Sequence, residues 1–138
     1  MTVGALVASL YAARIDSCYR VLPNQYTMFI LLLGFSNCIL FQMVPHSTYF
    51  LTTFGHIAVA ICLPRAYGMG DAKLFAGLGL FIVDSGVYVL WLSLSYATAL
   101  LWGVFLRINS IALGPHIVMA WIVCFVGDYA YVSFLDSR

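Results

Sequence analysis

Glutamate is absent from the 138 residues, and lysine occurs only once, at Lys73. Charged residues make up 8%, six Lys/Arg against five Asp, where a soluble domain averages about 25%. So little charge cannot clothe a globule of this size in polar surface. With a net charge of +1 and no basic stripe, nucleic-acid binding is excluded, as are disordered, coiled-coil and collagen-like classes. The four cysteines, Cys18, Cys38, Cys62 and Cys124, form no Cys-x-x-Cys pair and have no His at zinc-finger spacing. No metal or cofactor is therefore expected, and the cysteines read as small packing residues in apolar runs.

What the chain has is apolar length. Hydrophobic residues reach 64% and mean hydropathy is +1.01. Continuous apolar stretches cover Val3–Ala13, Tyr26–Val44, Tyr49–Leu63, Leu74–Val83, Val87–Leu106 and Ile111–Val126. They do not alternate, which argues against a β-barrel. A spanning helix needs about 20 residues. The expectation is thus an all-α, polytopic membrane protein: one domain over residues 1–138, a bundle of about six transmembrane helices. The first and fourth runs are too short to cross unless their helices take in the neighbouring charged segments. No basic residue precedes the first run, so it reads as a retained helix rather than a secretion signal.

The charges then sort themselves by side. Arg14 and Arg20 fall between the first two runs, Arg65 and Lys73 between the third and fourth, and Arg107 between the fifth and sixth. The other side has only Arg138. The positive-inside rule puts those three connections in the cytoplasm and both termini outside. Asp16 and Asp71 share the cytoplasmic side, whereas Asp84, Asp128 and Asp136 do not.

Asp16 admits two readings. It is an interfacial acid paired with Arg20 four residues on, or a functional group at the membrane boundary. Downstream, Pro23 stops a helix and Asn24 is placed to cap the one starting near Gln25. Asp71 follows Gly68 and Gly70, which permit a non-helical or closely approached backbone just before the acid. Its bland reading is a solvated acid in a glycine-rich loop beside Lys73. The segment lacks the Lys-Ser/Thr ending of a phosphate-binding loop. Together the acids suggest an aspartyl peptidase dyad, in which one carboxyl keeps its proton and the other activates water. Ser9, Ser93 and Ser95 have no nearby base and read as back-bonded helix residues. Lys73 reads either as a topology anchor or as a group easing the dyad's charge. His56, inside an apolar run, reads as a neutral imidazole bonded to a neighbouring helix.

Gly68-Met69-Gly70-Asp71-Ala72-Lys73-Leu74 resembles the Gly-x-Gly-Asp-x-Lys-Leu signature of the type IV prepilin peptidases. Asp16 followed by Leu22-Pro23-Asn24 is similar to that family's first catalytic segment, and Leu113-Gly114-Pro115 to the opening of its last helix. Ser17, Cys18 and His116 differ from the residues usual there. The resemblance implies a membrane aspartyl endopeptidase of the bacterial inner membrane, with Asp16 and Asp71 catalytic and Pro23, Asn24, Gly68, Gly70 and Lys73 shaping the site. Its partners would be the lipid bilayer and a prepilin whose leader is cut at the cytoplasmic face. The chain is similar in size to the short, peptidase-only members of tight-adherence (Flp) pilus systems. It has neither the insertion nor the paired cysteines that accompany methyltransferase activity in larger members. The alternative is a non-enzymatic membrane subunit, a proton or cation relay or a pilin-docking component.

Overall fold

The computed structural model describes residues 2–63, 67–107 and 111–136. Among them are six helices and no strand: α1 (Thr2–Tyr19), α2 (Asn24–Phe41), α3 (Ser47–Cys62), α4 (Met69–Gly79), α5 (Ser85–Leu106) and α6 (Leu113–Asp136). The all-helical expectation holds. The helices α2 and α5 are long and apolar enough to cross a membrane. As anticipated for the first run, α1 continues through Arg14 and Asp16.

Packing is organised around α4. It touches α2, α3 and α6, while α1 closes the ring between α2 and α6 and α5 joins α6 to α3. At 11 residues and about 1.5 Å rise per residue, α4 reaches only part-way through a bilayer core of about 30 Å. It begins at Met69 rather than Leu74 and ends at Gly79, before the apolar run does. Its residues Leu74 to Gly79 are all buried, and so are Leu80, Phe81 and Ile82 in the non-helical stretch that follows. Here the surrounding helices enclose this non-helical backbone.

Small residues let the neighbours come close enough. A Cβ at Gly34 on α2 would stand 2.8 Å from the Gly77 carbonyl oxygen, and one at Gly77 would stand 3.0 Å from the Leu31 nitrogen. The two backbones therefore meet directly. On α1 the buried residues are Ala5, Ala8, Ser9, Ala12, Ala13 and Asp16, a stripe at helical spacing that faces α2 and α6.

The core is aromatic as well as aliphatic. Trp91 and Trp121 are fully buried, and the Trp91 indole N–H donates to the Ile117 carbonyl at 3.0 Å. The cysteines are free; Cys124 is buried and Cys38 half-buried, but Cys18 and Cys62 lie exposed on the helix surface rather than packed. Ser9 and Ser95 bond back to the Leu6 and Trp91 carbonyls, as their positions suggested.

Gly34→Ala is expected to destabilise the fold by about 1–3 kcal/mol, because the inserted methyl has nowhere to go. Gly55→Ala, where nothing lies within 4 Å of the new Cβ, should be neutral or slightly stabilising. Thermal unfolding of both variants in detergent checks the contrast.

Candidate active site

Three connections converge at one end of the bundle. Leu22 of the α1–α2 connection packs on Gly70 of α4, Lys73 reaches Asn24, and Asp16 reaches Gly114 of α6. Arg20 and Arg107, both in left-handed conformation, reverse the chain just after α1 and α5 at this same end. Cations suit helix C-termini, where the carbonyl ends of the peptide dipoles gather. Arg65 and Arg138 lie outside the described residues.

Asp16 is carried inward as the last member of the small-residue stripe on α1, and only 5% of it is exposed. Its Oδ2 accepts the Gly114 amide N–H at 3.0 Å. Gly114 sits in the first turn of α6, where amides have no helical acceptor of their own, and Pro115 is tolerated there for the same reason. A side chain at 114 would come within 2.8 Å of the Asp16 oxygen. Burial raises the Asp16 pKa, while the Gly114 amide and the Arg20 charge pull it back.

Asp71 lies in the first turn of α4, three residues after the N-cap Gly68. The glycines therefore do not form a loose loop. Gly70 is helical and lets α4 press on Leu22, since a Cβ there would meet the Leu22 Cβ at 2.6 Å. Asp71 is not the solvated partner of Lys73: its Oδ1 is buried without a hydrogen-bond partner. Burial pushes its pKa up to about 7, the Asp16 charge adds to the rise, and the Gly68 amide opposes it. The two carboxyls thus share one electrostatic environment. Asp84, by contrast, caps α5 at the other end through the Val87 amide.

Lys73 Nζ donates to Asn24 Oδ1 at 2.8 Å. This corrects the expected role of Asn24: Pro23 is the N-cap of α2, no side chain caps it, and Asn24 is its first residue. The Asn24 oxygen binds the ammonium instead, tying the start of α2 to the start of α4. His56 does bond to a neighbouring helix, with Nε2 2.9 Å from the Tyr96 hydroxyl. Among the described residues no group of three or more His, Cys or Asp could hold a metal ion.

The model of the type IV leader peptidase family matches residues 3–128. The chain belongs to that family. The match covers both acids, the Gly68–Leu74 motif and Gly114-Pro115. No curated protein and no solved structure matches the chain. Membership makes the chain a peptidase of leader sequences.

Gly114 is the residue whose part was missed in the sequence. It stood out only as a piece of a recurring segment, although a glycine ahead of a helix-opening proline is itself a sign of an amide left open to a ligand. Alanine for glycine within a helix ordinarily stabilises by about 1 kcal/mol. At 114 the sign should reverse, with Gly114→Ala destabilising by about 1–3 kcal/mol because it pushes the Asp16 carboxyl off the α6 amide. Comparison with Gly127→Ala, a site open for a Cβ, in the same unfolding assay tests this.

Proposed function

We propose that this leader peptidase is a multi-pass membrane aspartyl endopeptidase that cuts the leader from Flp-like type IV prepilins, with Asp16 and Asp71 as its dyad. The observation that carries this reading is the pairing of a buried carboxyl, Asp16, with a half-buried one, Asp71, in surroundings that differ. Asp71 has no bond to its buried oxygen and a pKa near 7, so it holds the proton. Asp16 accepts a backbone N–H and feels the Arg20 charge, so it is the ionised partner. An ionised Asp16 takes a proton from the water that attacks the scissile carbonyl. Protonated Asp71 gives its proton to the carbonyl oxygen, Asp16 passes the proton it took from the water to the leaving amine, and collapse of the tetrahedral intermediate returns a proton to Asp71. The pair's apparent pKa values belong to both residues together.

The bilayer placement is supported by the outer faces of the helices, where Leu32, Ile39, Leu51, Leu101, Val104 and Phe105 are all exposed. In water such faces would be an aggregation hazard, whereas in lipid they are the solvent-matched surface. Arg20, Lys73 and Arg107 gather at the end that holds the acids, so the positive-inside rule puts that end in the cytoplasm and both termini outside. A prepilin would lie with its apolar segment along the helices and its leader in the cytoplasm, so that the scissile bond meets the acids at the boundary. Lys73 and Asn24 fix the mouth of α4, Gly70 permits its close seat against the α1–α2 connection, and Pro23 and Gly68 shape the site as the N-caps of α2 and α4.

Asp16→Asn and Asp71→Asn, each nearly isosteric, should lower processing of a co-expressed prepilin by about 10²–10⁴-fold while the protein still accumulates in membranes. Normal cutting by either variant removes that residue from the chemistry. The pH profile follows from the same assignment. Activity requires Asp71 protonated, so kcat/KM should fall as pH rises through about 7. It requires Asp16 ionised, so it should also fall at acid pH, at a limb displaced upward from the ordinary aspartate value of 3.8. A rate still climbing well above neutral pH would remove Asp71 as the proton donor.

A further inference from the structure

Asp71 does not stand alone on its side of the site. Phe75 lies four residues on, one turn along the same face of α4. Its ring stacks on His56 with centroids 4.5 Å apart and on Tyr96 at 5.6 Å. His56 in turn stacks on Tyr67 at 5.8 Å with the planes 27° apart. Tyr67 precedes α4, with its N–H bonded to the Leu63 carbonyl at 3.0 Å. The stack therefore holds the Tyr67 ring flat against His56, beside the turn of α4 that carries Asp71.

The polar ends of this cluster are unequal. The Tyr96 hydroxyl is engaged with His56 Nε2 at 2.9 Å. The Tyr67 hydroxyl lies next to the Tyr96 phenol but makes no hydrogen bond of good geometry, and Asp71 Oδ1 and His56 Nδ1 are likewise buried without one. Buried polar atoms are nearly always bonded, and an exception in a native structure calls for an explanation, a ligand or catalytic role among them. Two of these atoms, on Tyr67 and Asp71 one turn of chain apart, are what a site leaves open for a substrate oxygen. Burial, the nearby Tyr96 and the Asp71 charge all raise the phenol pKa, so the hydroxyl is a permanent donor and never a base.

We propose that Tyr67 is a further catalytic residue: its hydroxyl donates a hydrogen bond to the scissile carbonyl oxygen, beside Asp71, as that oxygen takes on negative charge. The proton stays on the phenol throughout; only the hydrogen bond strengthens as the tetrahedral intermediate forms. This rests on the dyad assignment above and adds a third group to it. The ring is held by stacking, so the donor is aimed before substrate arrives and need not reorganise during the reaction.

Tyr67→Phe keeps the stack on His56 and removes the donor alone. With purified enzyme in detergent and a prepilin substrate, kcat should fall by about 10²-fold, the loss typical of one missing oxyanion donor, with KM within about twofold. Tyr96→Phe removes the neighbouring hydroxyl, which is already engaged with His56, and should leave kcat within about threefold. Equal losses in both variants would mean that cluster packing matters and the donor does not, and a Tyr67→Phe rate within about twofold of wild type would overturn the proposal outright. Should the phenylalanine variant fail to fold, 3,5-difluorotyrosine at 67 preserves the shape and strengthens the donor. An altered kcat then supports the proposal, and an unchanged one sinks it. Loss of cleavage in the two Asn variants with a wild-type rate in Tyr67→Phe would defeat this inference alone, whereas active Asn variants would defeat the dyad as well.

Discussion

The hydrogen bond from the Gly114 amide to Asp16 joins residues nearly a hundred positions apart, and most of the candidate site depends on it. A carboxyl buried to this degree is costly unless something satisfies it. The open first turn of α6 supplies an amide and the positive end of a helix dipole without adding a cation. For this the ends of α1 and α6 must touch. That requires the alanine and serine stripe on α1 and the missing side chain at 114.

The second constraint is the depth of α4. A short helix that is buried on nearly every side brings its N-terminal turn into the bundle's end rather than out into solvent. Gly34 and Gly77 set how closely it lies on α2, and Gly70 sets how closely its first turn lies on Leu22. The result is one acid with a buried, unbonded oxygen and another that is bonded and near a cation. Identical side chains thereby acquire different proton affinities, the asymmetry that the proposed two-carboxyl mechanism needs.

Much of this was legible in the chain. The scarcity of charge and the six apolar runs implied an all-helical bundle, and helices do form at all six. Their limits were less legible. The fourth run, Leu74–Val83, was displaced because Gly68 and Gly70 look like loop residues, whereas tertiary contact makes Gly70 helical and ends α4 at Gly79. Asn24 looked like a cap by residue type, but Lys73 competes for its oxygen, and a partner 49 positions away leaves no mark in local sequence.

By itself the sequence determined the class of protein and the two acids at issue. Hydrophobic runs and charge asymmetry are local, additive properties that any reading of the chain can sum. It also carried, in Gly68–Leu74, enough of a motif to indicate the family. Only the tertiary structure decided that Asp16 faces inward, that Gly114 is its donor, and that Lys73 turns to Asn24 and away from Asp71. Which group meets which at the bundle's end depends on helix rotation and backbone approach. Those are fixed by packing among elements far apart in the chain.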